Sequence, residues 1–248
     1  GSQCLGMGQS LAQSSSVFRD TLDTVLAELD RHLSKPLRSV IFAEKGSEEE
    51  AELDQTRYTQ PALFAVEVAW AAFWQHCAVV PDILLGHSIG ELVAAHVAGV
   101  LSLEDAAKLV CARGDLMQSC ESGGAMASLG GSEEEVLSLL ASESGRVDIA
   151  GLNGPSQTVI SGDEPVVEAL MAKVEAQGRK ATKLSVSHAF HSAHMETMLD
   201  DFRTVAESCT FHPPQISVVS NLTGKLATAE ELTSPDYWVR HVRQAVRF

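Results

Sequence analysis

The residues able to do chemistry gather in two short stretches. The first is Ile83-Leu84-Leu85-Gly86-His87-Ser88-Ile89-Gly90-Glu91. Its three apolar residues read as the end of a short buried strand, and residues 91–97 read as a helix. A serine between strand and helix sits on a tight turn, the setting of a nucleophile elbow. Glycines at 86 and 90 remove side chains that would collide there. The Ser88 hydroxyl is thereby pushed out above the sheet. The backbone N–H of Ile89 then points at any oxyanion formed on an ester at Ser88. The helix N-terminus behind it adds partial positive charge. A glycine-bounded turn with an ordinary serine has the same five residues, so the flanking strand and helix carry the reading.

A serine hydroxyl needs a base to attack at neutral pH. The chain has 9 histidines. His87 is next to Ser88, but adjacent side chains on a sharp turn diverge. The second stretch, His188-Ala189-Phe190-His191-Ser192-Ala193-His194, is a local enrichment of histidine. It lies where the chain re-enters its larger part, which favours a site over a chance cluster on a loop. Arg113 lies on the helix after the elbow helix. Its guanidinium can fork onto a carboxylate through two parallel hydrogen bonds. A helix-surface arginine paired with Asp115 or Glu121 is the other reading.

These residues need a scaffold to position them. Ser14-Ser15-Ser16 caps a helix that turns Phe18, Leu22, Val25, Leu26, Leu29 and Leu33 to one side, and Pro36 ends it. Residues 1–8 read as a glycine-rich loop, and Glu48 to Glu52 as a solvated loop or helix start. Pro61 opens the next helix at its first turn. That helix is apolar almost all round, so it should be covered on several sides. Ser102 caps the helix that carries Arg113. From Gly124 to Val186 the order is strand, helix, strand, strand, helix, strand, with Asn153-Gly154-Pro155 as the turn between the middle strands. This is the ferredoxin-like order. The expected fold is therefore α/β: a large subdomain with a parallel sheet and an elbow, residues 1–123 and 187–248, and a small inserted subdomain, residues 124–186.

Composition narrows the function. The 248 residues suit one large domain or one domain with an insert. With 18 basic and 33 acidic residues the formal charge is −15. That argues against a nucleic-acid surface and gives an anionic substrate no long-range help. Docking of an acidic partner would then rest on local basic groups: Arg179, Lys180 and Lys183, or Arg240, Arg243 and Arg247. The 5 cysteines show neither metal-ligand spacing nor a disulfide framework, which points to a reducing, cytoplasmic compartment. The longest apolar run, Pro61 to Cys77, carries Glu67, Gln75 and His76, so it reads as a core helix and not a membrane span. No signal-peptide pattern opens the sequence.

The Ser88 and His191 contexts together resemble the malonyl-CoA:acyl carrier protein transacylase family, and most nearly the acyltransferase domains of modular polyketide synthases. Thr59-Gln60-Pro61-Ala62-Leu63-Phe64, Gly86-His87-Ser88-Ile89-Gly90-Glu91, Arg113, His188-Ala189-Phe190-His191-Ser192, Ser220-Asn221-Leu222-Thr223-Gly224 and Tyr237-Trp238-Val239-Arg240 follow the family's order and spacing over nearly the whole chain. The resemblance implies a hydrolase-like domain with a ferredoxin-like insert. It implies a Ser88–His191 dyad, with the Ile89 N–H in the oxyanion hole. It places Arg113, Gln60, Phe190 and His188 around the substrate. A backbone carbonyl, aligned to His241, should orient His191, so the side chain there should matter little; Asp200, Asp201 or Asp236 would be carboxylate alternatives. His188-Ala189-Phe190-His191 and Ile89 are similar to the malonyl-selecting version of the motif. The family's first strand, with a glutamine that supplies the second oxyanion N–H, and its last glycine-rich strand lie outside this sequence, so the chain reads as a core fragment.

The expected activity is transfer of malonyl from malonyl-CoA, through an ester on Ser88, to the phosphopantetheine thiol of an acyl carrier protein. No metal or redox cofactor and no membrane enter that chemistry. The neighbours would be the other domains of a polyketide synthase. The alternatives are a hydrolase that edits stalled acyl chains, a discrete malonyl transacylase of fatty-acid synthesis, and an inactive docking module.

Overall fold

The computed structural model describes residues 2–248. Gly1, the first residue of the expected loop, lies outside it. The chain begins with α1 (Gln9–Ser14), α2 (Ser16–Leu29), α3 (Leu37–Ile41), α4 (Glu48–Glu52) and α5 (Thr56–His76). Then come β1 (Ile83–Leu84), α6 (Ile89–Val97) and α7 (Leu103–Gln118). The next block is β2 (Gly124–Gly130), α8 (Glu133–Leu140), β3 (Val147–Gly154), β4 (Gln157–Asp163), α9 (Glu164–Ala176) and β5 (Ala181–Lys183). The chain returns through a 3-10 segment (Ala193–Met198), α10 (Leu199–Glu207), β6 (Ser217–Val218), α11 (Ala229–Leu232), α12 (Pro235–Arg243) and β7 (Val246–Arg247).

The helices of the larger part form where their caps and apolar stripes dictate. Ser15 accepts a hydrogen bond from the Phe18 N–H, and α2 then buries Phe18, Leu22, Val25, Leu26 and Leu29 at helical spacing. It stops at Leu29 and not at Pro36, because Asp30 Oδ1 takes the Leu37 N–H at 2.7 Å and starts α3. The α5 helix opens at Thr56, earlier than the proline signal implied. Pro61 therefore sits inside it and is buried, so one intrahelical bond is missing there. Nor is α5 covered all round: Trp70 and Trp74 are 38% and 49% exposed. Both belong to an aromatic group with Phe73, and Phe18 packs edge-on against Trp70.

The elbow strand is short. β1 pairs in parallel with β6, Ile83 opposite Ser217 and Leu84 opposite Val218. Ile83 and Leu85 are half-exposed, against the expectation of a buried strand end. Among the described residues β1 has one strand neighbour, β6.

The second sheet runs β5-β2-β4-β3-β7. Its first four strands pair antiparallel, and α8 and α9 cover one face: the ferredoxin-like insert. Side chains alternate across a strand. Thus Ala125, Ala127 and Leu129 of β2 pack under the helices, while Met126 points to the other face with Ala150, Val159 and Phe190. A full capping box, Ser132 with Glu135, starts α8. β5 is shorter than expected, because Val186 N–H turns back to Leu184 O at 3.1 Å. The fifth strand was not legible. β7 joins β3 in parallel, Gly151 opposite Val246, although it comes from the far end of the chain.

Candidate active site

The elbow is set by backbone strain and held from behind. Ser88 has φ 52° and ψ −112°, a left-handed turn at a non-glycine residue. A Cβ at Gly86 would lie 2.0 Å from the carbonyl carbon and oxygen of Gly90, so only glycine fits. Gly90 is different: a Cβ there would meet only Glu67 Oε2 at 3.6 Å. Collision explains Gly86 and not Gly90. Asn221 locks the turn, its Oδ1 accepting from Ser88 N–H at 2.7 Å and its Nδ2 donating to Gly86 O at 2.7 Å. Glu91, fully buried, in turn accepts from Asn221 N–H at 2.8 Å and from the Tyr237 hydroxyl.

Ser88 faces a histidine and an arginine at once. Its Oγ is 2.8 Å from His191 Nε2, and Arg113 Nη2 donates to it at 3.0 Å. His191 Nδ1 lies 2.9 Å from Gln244 O. A carbonyl only accepts, so Nδ1 carries the proton and Nε2 is free to take one from the serine. The orienting carbonyl thus belongs to Gln244 and not to His241, because α12 runs past His241 before the chain bends back toward the histidine. The His241 side chain lies near the ring of His191. It is buried, 3.3 Å from Glu91 Oε2, with its ring edge-on to that of His191. The carboxylate alternatives fall away, since a carbonyl holds Nδ1 and Asp236 pairs with Arg203 and Arg240. Ile89 N–H opens α6, where the first donors have no partner within the helix.

Arg113 is 2% exposed, which overturns a surface arginine. Asp115 pairs with Arg57 and Glu121 with Arg146 instead. Arg113 Nη1 donates to Gln60 Oε1 at 2.6 Å, and its Nε is buried without a hydrogen-bond partner among the described residues. Gln60 also donates to Met117 Sδ at 3.1 Å. These groups line a cleft of about 1140 Å³, with Met126, Val186 and Phe190 on its far wall. His188 is not on that wall. It is buried behind Phe190, its Nδ1 2.9 Å from Ser187 Oγ. Phe190, two residues on, faces the cleft. The third histidine of the cluster, His194, meets Asp163 Oδ1 at 2.8 Å. His87 bonds Asn153 Oδ1 at 2.9 Å, away from Ser88 Oγ as expected.

The model of the family described as acyl transferase domain matches residues 1–248. The chain belongs to that family. It is 55% identical over 249 residues to polyketide synthase GfsA of Streptomyces halstedii, covering 100% of this chain and 3% of that protein. Mycoketide-CoA synthase of Mycobacterium tuberculosis is 51% identical over 248 residues, 100% of this chain and 6% of that protein. The acyltransferase domain from the second module of the salinomycin polyketide synthase has a TM-score of 0.92 and 50% identity, covering 100% of this chain and 56% of that one. Malonyl-CoA:acyl carrier protein transacylase of Xanthomonas oryzae pv. oryzae has a TM-score of 0.87 and 34% identity, covering 100% of this chain and 78% of that one. The chain spans a small part of the curated relatives it matches.

The electrostatics of this acyl transferase chain follow from burial. Desolvation, with help from the Arg113 and His241 charges, holds His191 well below the usual imidazole range. It is neutral at pH 7. Burial also lowers Arg113 to about 10, opposed by the Glu91 charge, so the guanidinium stays charged. Glu67, on the cleft wall, is raised by burial. Of the basic docking candidates, Arg179, Lys183, Arg240, Arg243 and Arg247 each already pair with a carboxylate. Among the described residues no group of three or more His, Cys, Asp or Glu side chains gathers as a metal site, and no helix is long and apolar enough to cross a membrane. Asn221, Glu91, Tyr237 and Gln244 were not picked out as site residues. Asn221, Glu91 and Tyr237 stand inside the motifs given above, a usable signal; Gln244 stands in none.

Proposed function

We propose that this chain carries malonyl from malonyl-CoA to the phosphopantetheine thiol of an acyl carrier protein. One observation carries the reading: Ser88 Oγ lies within hydrogen-bond distance of both His191 Nε2 and Arg113 Nη2. His191 takes the serine proton as Oγ attacks the thioester carbonyl. The Ile89 N–H stabilises the tetrahedral oxyanion. Collapse expels the CoA thiolate, which takes the proton from His191 and leaves a malonyl ester on Ser88. The pantetheine thiol then gives its proton to His191, its sulfur attacks the ester, and Ser88 leaves as the hydroxyl. The free carboxylate of malonyl rests on Arg113. Nε–H and Nη2–H of a guanidinium are parallel donors on one edge, and the buried, unpartnered Nε supports an anionic acceptor there. Only protein groups and the two thiol partners take part. Residues 124–186 form the inserted subdomain, and 1–123 with 187–248 the larger one, in a cytoplasmic synthase whose other domains are its neighbours.

Incubation with labelled malonyl-CoA, with and without carrier protein, tests this. Stable label on the protein that moves to carrier protein is expected. Rapid release of free malonate would mean a hydrolase, and absence of label an inactive module.

Extender choice is read from Phe190, which packs with Met126, Leu184 and Val186 and lines the cleft. Its ring fills the space that an α-methyl branch needs. One methyl group is worth roughly 1–3 kcal/mol, or about 10–200-fold in selectivity. Phe190→Ser should therefore raise the methylmalonyl-to-malonyl ratio of kcat/KM by about ten-fold, with a loss of malonyl rate and no inversion. His188→Tyr should add little, since His188 is off the cleft. Competition between the two CoA thioesters measures the ratio. An unchanged ratio in Phe190→Ser would remove Phe190 from the acyl pocket.

A further inference from the structure

The base is held by the insert as well as by its own subdomain. Two carboxylates of the insert grip the loop just after His191. Asp148 Oδ2, on β3, accepts from Ala193 N–H at 2.9 Å. Asp163 Oδ1, at the end of β4, meets His194 Nε2 at 2.8 Å. Asp148 does a second thing. Its Oδ2 lies 3.1 Å from Arg243 Nη2, and Arg243 immediately precedes Gln244, whose carbonyl holds His191 Nδ1. Arg243 Nε also donates to Glu196 Oε1 at 2.9 Å, on the segment that follows the loop.

His191 itself has φ 56°, a strained backbone for a side chain with a Cβ. Strain of that kind persists only where surrounding contacts over-determine it. Within the loop, Ser192 Oγ donates to Ala189 O at 2.6 Å and accepts from His194 N–H at 3.2 Å. From outside the loop, Asp148 and Asp163 hold the two residues Ala193 and His194 that follow it. One carboxylate thus touches both halves of the base's support: the strained loop that presents the ring, and the chain end that supplies the acceptor for its Nδ1.

We infer that Asp148 is a positioning residue that sets the register of His191 on Ser88, so that the insert governs the base and does not merely wall the cleft. Its effect on turnover rests on the transfer proposed above, but its effect on the ring does not. Asp148 touches neither the substrate nor the reacting atoms. Asp148→Asn keeps an oxygen for the Ala193 N–H and weakens the link to Arg243. Asp148→Ala removes both.

The experiment compares these two variants with the parent in the intact protein. Two readouts are taken: the proton resonance of His191 Nδ1–H, assigned as the signal lost in His191→Ala, and the steady-state split of malonyl transfer into kcat and KM. In Asp148→Ala the resonance should shift and broaden, and kcat should fall about ten-fold or more, as expected for a misplaced catalytic group, with KM for malonyl-CoA within about two-fold. Asp148→Asn should recover most of both. Melting curves for all variants separate these changes from loss of fold. An unshifted resonance in folded Asp148→Ala overturns the inference. So does a loss confined to KM, or an Asn variant as impaired as the Ala variant. If the parent transfers no malonyl, the proposed function fails, while the resonance still decides the role of Asp148.

Discussion

Ser88→Ala is expected to abolish covalent labelling by malonyl-CoA, and His191→Ala to slow both acylation and transfer to carrier protein. One base serves both half-reactions, so both rates should drop, by about 10²–10⁴-fold. Residual labelling in His191→Ala is expected, because Arg113 Nη2 still donates to the serine oxygen. The pH profile follows from the sign of the His191 shift. Its pKa is lowered, so the neutral, proton-accepting form persists below the usual imidazole range. Acylation should stay level as pH falls through 6.5 and decline only at lower pH, as His191 becomes charged. Intact-mass measurement of the acyl-enzyme over time, from pH 5 to 8, reads both effects. A burst in Ser88→Ala equal to the parent's would remove Ser88 as the nucleophile.

Arg113→Ala should separate malonyl from acetyl. Losing charge-assisted hydrogen bonds to a carboxylate costs on the order of 1.5–3 kcal/mol, or roughly 10–150-fold in kcat/KM. Acetyl has no carboxylate to lose. Removing the guanidinium also strips a donor from Ser88 Oγ, so acetyl transfer should fall somewhat too. The informative quantity is the ratio of the two kcat/KM losses. Arg113→Lys should not restore malonyl preference, since a point charge cannot form the parallel pair. Equal losses for malonyl and acetyl would make Arg113 a structural residue. The Gln60 contact would then explain it, because a buried amide that loses its guanidinium partner is left unsatisfied.

What the chain discloses on reading depends on how local the cause is. Ser88 was legible because strand, glycine turn and helix are adjacent in sequence. The serine caps of α2 and α7 and the insert's strand order were legible for the same reason. Arg113 on its own read equally well as a surface residue; only its packing against Gln60 and Ser88 decided its place. His188 and Phe190 stand two positions apart with opposite fates, since Phe190 faces the cleft and His188 lies behind it. No local signal separates them. The carbonyl acceptor was assigned three residues too early because any backbone carbonyl serves, and a helix end fixes which one arrives. Pro61 failed as a start signal because the tertiary packing of α5 outweighs one missing hydrogen bond.

The parallel seam between β3 and β7 also bears on the order in which the molecule becomes able to react. It joins residues far apart in the chain, Gly151 to Val246, and so belongs to the slow, non-local class of contacts. Gln244, which orients the base, lies just before that seam. Ser88 leaves the ribosome long before Gln244 does, by roughly 8–30 s at ordinary rates of synthesis. During that interval the serine has no oriented base. A nascent chain therefore holds its nucleophile without an oriented base, and loading at the full rate waits until β7 has closed onto the insert.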